Sequence, residues 1–145
     1  MQPVEVGGGG RTQGVGGGVA RGAATYHDCG PTEGAMWAAR RDVARVSPQL
    51  LASIGRPLQN VCCEVLEAAA SQVRPIGVWG ELWLGGVQVA RCYLHRPLLT
   101  AERCTAQPWR DASCRGVVYR RGDRVRWYAA GEIDNASAGY LSCTE

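Results

Sequence analysis

GVWGELWLGGVQVARCYLHRP, residues 77–97, reads as turn, strand, turn. Within it Glu81-Leu82-Trp83-Leu84 alternates polar and apolar, the period of a strand with one face in a core. Gly85-Gly86 closes that strand, and Val87 to Tyr93 continues in strand-like fashion. After Pro97, Thr100-Ala101-Glu102-Arg103 predicts a short helix, with the Thr100 hydroxyl offered to the first unpaired amides.

Working outward, Val61 to Leu66 predicts another strand, and Gly55-Arg56-Pro57 a turn before it. Val117 to Tyr119 and Arg124 to Tyr128 read as a strand pair around an Arg121-Gly122-Asp123 turn. Upstream, Thr25 to Glu33 is a loop punctuated by Pro31. Gly34 to Ala39 reads as a short strand around Met36 and Trp37, and Arg40 to Gln49 as a polar connection. The glycine clusters Gly7–Gly10 and Gly16–Gly18 suit either a flexible lead-in or a strand ending in a glycine turn against a ligand. No Gly-Lys-Ser/Thr follows them, which excludes a Walker phosphate loop. Asn135 to Glu145 shows no periodicity and is expected to be a disordered tail. Short strands between glycine turns predict a small, curved, mostly antiparallel sheet after residue 35.

The chain has 145 residues and a net charge of +3, too mild to call for a polyanionic partner by itself. All 16 basic residues are Arg; there is no Lys and no Phe. The seven Cys form no Cys-x-x-Cys pair, so neither a zinc cage nor a redox pair is signalled. No apolar run approaches the about 20 residues that span a bilayer. The glycine-rich start lacks an apolar signal core, so a cytoplasmic location without a membrane partner is expected.

Three motifs carry the chemistry. Gly30-Pro31-Thr32-Glu33 sets a hydroxyl and a carboxylate side by side on a tight turn, and magnesium favours a lone carboxylate oxygen with phosphate oxygens. Tyr119-Arg120-Arg121-Gly122-Asp123 ends in a carboxylate with two acceptor oxygens. Between them, Gly80-Glu81-Leu82 to Gly86, Ala90-Arg91-Cys92-Tyr93 and Thr100-Ala101-Glu102-Arg103-Cys104 follow in order. Together these resemble the adenylation domains of nonribosomal peptide synthetases, within the adenylate-forming ligases. The match runs from Val4 to Asp134.

The resemblance implies an α/β fold of the α+β kind leaning to β. Residues 1–34 would end the core sheet with a nucleotide-binding loop, residues 35–134 would form a distorted β-barrel, and residues 135–145 would be an unmatched tail. It implies ATP or AMP and magnesium as cofactors. Asp28, Cys29, Gly30, Thr32, Glu33 and Asp123 would line the nucleotide, with Thr32 on phosphate, Glu33 and Thr32 at the metal and Asp123 on the ribose hydroxyls. Cys29 stands where the family has a Tyr stacked on adenine, and Arg121 where it has Thr. Glu5, Gly7, Gly8, Asp28, Met36 and Trp37 would lie near the amino-acid side chain. Two acidic groups there favour a cationic substrate. Cys104 replaces a Phe and would leave a void if buried; Cys92 replaces a Gly and would be strained at positive φ.

The family's Lys-bearing phosphate loop, the helix that grips the amino group, the hinge and the C-terminal subdomain with its Lys have no counterpart in this sequence. The expectation is therefore an internal piece of an amino-acid adenylation domain, inactive alone. In the parent it would work with ATP, an amino acid and neighbouring synthetase domains including a carrier protein. Two other classes remain open. One is a non-catalytic interaction protein reusing the barrel segment. The other is a single-strand nucleic-acid binder built on Arg115, Arg120, Arg121, Arg124 and Arg126 with Tyr119, Trp127 and Tyr128.

Overall fold

A computed structural model describes residues 4–6 (as backbone), 25–43, 53–67, 72–107, 109 and 116–136. Its strands are β1 (Val4–Val6), β2 (Thr25–Cys29), β3 (Ala39–Asp42), β4 (Ser53–Pro57), β5 (Val61–Leu66), β6 (Gly80–Gly86), β7 (Cys104–Ala106), β8 (Val117–Trp127) and β9 (Ile133–Asn135), with one helix, α1 (Pro97–Arg103). They form one sheet in the order β1-β2-β3-β4-β9-β8-β6-β5, with β7 also on β8. Among the described strands only β1 and β2 run parallel.

Strand β6 shows why this sequence makes a sheet. It lies between β5 and β8, and residues 81–85 are all buried. Leu82 and Leu84 point to one face and join Ile54, Val65, Val125 and Ile133 in the main core. Trp83 points to the other, where it packs with Leu66, Val118 and Trp109; the two indoles meet edge to face at 6.4 Å. Each fully buried leucine stabilises the fold by about 1.5–3 kcal/mol over an exposed one.

The mostly antiparallel architecture agrees with expectation, with one correction. The sheet curves around its core, but among the described residues no ladder joins its ends at β1 and β5, so it is a distorted open sheet and not a closed barrel.

Several local readings also change. Gly55-Arg56-Pro57 is the end of strand β4, where Gly55 (φ 93°) lies at a register shift, and not a free turn. Residues 34–38 are no strand: a 3-10 turn over Thr32–Gly34 runs into left-handed backbone at Ala35 and Met36 (φ 54° and 76°). The strand begins only at Ala39, the last residue of the strand expected there, and runs to Asp42 inside the supposed polar connection. Residues 87–93 form turns and irregular backbone. Thr100 does not cap α1; its hydroxyl donates to the Arg96 carbonyl and accepts from the Tyr93 amide. Asn135, read as the first residue of the tail, is the buried last residue of β9.

The most consequential change is at Arg121-Gly122-Asp123. It is a bulge within the single long strand β8: Trp83 pairs with Arg120 and Glu81 with Arg124, so three residues of β8 oppose Leu82 alone. Gly122, at φ 90°, supplies the conformation this requires. On the other side of β8, β7 covers residues 117–119 and β9 covers residues 125–127. The bulge therefore sits at a break between two strand partners.

Candidate functional site

The Gly30–Glu33 loop is closed by short-range bonds. The Ala38 amide donates to the Cys29 carbonyl at 2.8 Å, and the Gly34 and Met36 amides both donate to the Pro31 carbonyl. A Cβ on Gly30 would come within 2.5 Å of the Ala38 nitrogen, so the loop tolerates only glycine there. The result presents Glu33 towards the chain that follows β6.

Glu33 Oε1 accepts a hydrogen bond from the Tyr93 hydroxyl at 2.5 Å, and the Glu33 carbonyl accepts from the Ala90 amide at 2.7 Å. Burial acts to raise the carboxyl's pKa. Hydrogen bonds from Tyr93, its own backbone and Tyr119, with the Arg103 charge, outweigh that and hold it below its ordinary value. The same contacts act on the phenols: burial first, then Glu33, pushes Tyr93 well above the usual tyrosine range. Cys104 lies beside this group, its thiol pushed up by burial and then by Glu33 and Cys92.

The second part of the site is the bulge. Arg121 Nε lies 2.7 Å from Asp123 Oδ2, and Arg121 Nη1 donates to Cys29 Sγ at 3.5 Å. Burial pushes the Asp123 carboxyl up, against the pull of Arg121. A cleft of about 510 Å³ adjoins Asp123, walled by Trp79 and by the ion pairs Arg74–Glu67 and Arg120–Glu81 at 3.0 and 2.7 Å.

Residues 119–123 of β8 thus gather candidate groups from two distant motifs, Cys29 and Glu33 from the loop and Asp123 from the bulge. Thr32 is exposed on the same loop. The substrate-side residues are not gathered in this way. Asp28 is fully buried, and Arg40, its register partner on β3, binds it through two contacts of 2.6 and 2.9 Å. Met36 is exposed and Trp37 half-buried. Glu5 stands opposite Tyr26 in the β1–β2 register, while Gly7 and Gly8 lie outside the described residues. Cys92 is exposed and has no positive φ, so it is unstrained; Cys104 is only half-buried, packed against the main core, so the full burial on which a void depends is not met.

Sequence reasoning missed Tyr93, Arg103 and Arg40. Tyr93 stood in a motif read only as scaffold, and Arg40 in a stretch read as linker. Among the described residues no three His, Cys, Asp or Glu side chains gather as a metal cage, and no helix is long and apolar enough to cross a membrane.

Comparison with known proteins fits this arrangement. Residues 16–94 match the family described as AMP-binding enzyme. Phosphinothricin tripeptide synthetase PhsB of Streptomyces viridochromogenes is 45% identical over 109 residues, which are 72% of this chain and 8% of that protein. The N-terminal subdomain of NpsA from Klebsiella oxytoca superposes with a TM-score of 0.68 at 26% identity, over 81% of this chain and 30% of that one. A four-domain nonribosomal peptide synthetase bound to AMP and glycine gives a TM-score of 0.65 at 30% identity, over 77% of this chain and 8% of that one.

The chain belongs to the AMP-binding enzyme family. Its relatives there are the adenylation domains of nonribosomal peptide synthetases, and it spans a small part of their length.

Proposed function

We propose that this chain contributes the nucleotide side of a site in which ATP activates an amino acid as its aminoacyl adenylate during nonribosomal peptide synthesis. The observation that carries the reading is the convergence of Cys29, Glu33 and Asp123 on residues 119–123 of β8. In that chemistry the substrate carboxylate oxygen forms a bond to the α-phosphorus, the bond to the bridging oxygen breaks, and pyrophosphate leaves. The protein's part is to fix the in-line geometry.

Asp123 would lie at the ribose, Thr32 would meet phosphate, and the backbone at Asp28–Gly30 would border the base. Glu33, held ionised by its neighbours, suits a single-carboxylate contact to magnesium, whose other positions go to phosphate and water. When bound, the ion would offset the phosphate charge. Asp28 already neutralises Arg40, so a preference for a cationic amino acid rests on Glu5 alone. The amino-group-gripping helix and the phosphate loop named above have no counterpart in this sequence, so this chain by itself would bind without turnover. In the parent protein its partners are the amino acid, ATP and neighbouring domains including a carrier protein.

The single-strand reading loses ground because four of its arginines are engaged internally; the fifth, Arg115, lies outside the described residues. Arg120 pairs with Glu81, Arg121 with Asp123 and Arg126 with Asp134, while Arg124 stacks over Trp79.

The test is a thermal melt of the chain with and without magnesium-ATP. A cooperative transition raised by nucleotide is expected, because a ligand of the native state stabilises it by mass action. A cooperative transition that saturating nucleotide leaves unmoved overturns the reading.

A further inference from the structure

We propose that Arg121 is an internal ligand of Asp123, which keeps the carboxylate from a ribose diol and so erases the chain's preference for ribonucleotides. The inference rests on the nucleotide reading above and concerns which part of the nucleotide is recognised.

The geometry is that of a covered acceptor. Arg121 Nε sits 2.7 Å from Asp123 Oδ2 as an ion pair without a hydrogen bond, that oxygen is shut off from solvent, and only 9% of the Arg121 side chain is exposed. The bulge brings this about. Residues two apart on a strand share a face, and Gly122, with no side chain and a φ of 90°, lets the pair fold towards each other. The far end of the guanidinium is anchored as well, by its bond to Cys29 Sγ at 3.5 Å. Cys29 is buried and small, which leaves room for the guanidinium beside the Gly30 loop. A long, flat cation on β8 and a short side chain on β2 therefore fit one another.

An ionised carboxylate has two oxygens for donors, and a ribose diol presents two hydroxyls to them. With one oxygen buried under the Arg121 charge, the diol can reach it only by parting that ion pair. That exchange gains little. The base and phosphates can still bind, but removal of the 2′- and 3′-hydroxyls should cost this chain almost nothing.

The experiment is titration of the full chain with AMP and with 2′,3′-dideoxy-AMP by calorimetry, compared with Arg121→Thr. Wild type is expected to bind both alike. Arg121→Thr is expected to bind AMP about tenfold more tightly, the scale of one hydrogen bond to a charged group, and dideoxy-AMP no better. Asp123→Asn added to Arg121→Thr should abolish the gain. If near-UV circular dichroism shows Arg121→Thr unfolded, Arg121→Gln, which keeps length without charge, is read in its place. An unchanged or weaker affinity for AMP in the variant, or a wild type that already prefers AMP tenfold, overturns the inference while leaving the nucleotide reading intact. Binding of neither nucleotide by either protein at millimolar concentration overturns both.

Discussion

The Tyr93 hydroxyl and the Glu33 carboxylate, 60 residues apart, are joined by a hydrogen bond of 2.5 Å that ties the Gly-Pro-Thr-Glu loop to the segment leading into α1. The Ala90 amide makes a second tie to the same residue through the Glu33 carbonyl. Loss of the phenol leaves a half-buried carboxylate short of a donor. Tyr93→Phe is expected to destabilise the chain by about 1–3 kcal/mol, read from urea denaturation. A change below a few tenths of a kcal/mol would show that the tie does not hold the loop.

The same pair sets a pH dependence. The folded state holds the Glu33 carboxyl below its ordinary value, so the unfolded chain takes up that proton first as pH falls. Its contribution is complete above the ordinary carboxylate value of 4.5 and is lost as pH drops through the lower folded value. Wild type should therefore exceed Glu33→Gln in melting temperature at neutral pH, and the two curves should converge on acidification. Tyr93 gives the opposite limb. Its folded pKa lies above the ordinary value of 10.0, so stability is full below that value and falls as pH rises beyond it. Tyr93→Phe should reduce the alkaline fall, leaving the part that comes from Tyr119 and Tyr128, which burial also pushes above the ordinary value.

Asp28 and Arg40 provide a third test, because their burial is unequal. Asp28 is fully buried, whereas the Arg40 side chain is 29% exposed. Arg40→Met strands a carboxylate in the core and is expected to cost about 3–5 kcal/mol. Asp28→Ala leaves a cation that can reach water and should cost less. Denaturant midpoints of the two single variants and the double variant would decide it; equal single costs would mean that the partial exposure of Arg40 gives it no relief.

These pairs also show what the sequence could and could not convey. Strands β5 and β6 were legible as short apolar runs bounded by glycine turns, but the expected single buried face of β6 understated it, since Leu82 and Leu84 enter one core and Trp83 the other. Strand β3, Ala39–Asp42, was hidden because it is mostly charged: its stability comes from a cross-strand ion pair with Asp28, which periodicity does not register. Arg121-Gly122-Asp123 looked like a turn because glycine at positive φ serves turns and bulges alike. The motif residues Cys29, Glu33 and Asp123 could be picked out by type and order. That Arg121 reaches Cys29, 92 positions away, depends on a register only the sheet supplies.

The two glycines Gly55 and Gly77 separate sterics from backbone conformation. Their φ values are close, 93° and 85°, so an added methyl meets a similar local penalty at either, about 1 kcal/mol or somewhat more. Their surroundings differ. A Cβ on Gly77 has nothing within 4 Å, whereas one on Gly55 collides with the backbone carbonyl of Arg40 on the neighbouring strand. That carbonyl belongs to the β3–β4 ladder, in which Arg40 pairs with Arg56, and cannot retreat without parting the strands. Gly55→Ala is therefore expected to lose at least about 3 kcal/mol, and Gly77→Ala no more than about half of that. Denaturant unfolding of both variants measures the difference directly. Equal losses would mean that β3 and β4 part without cost at this point, and that the bond pattern around Asp28 does not depend on their pairing.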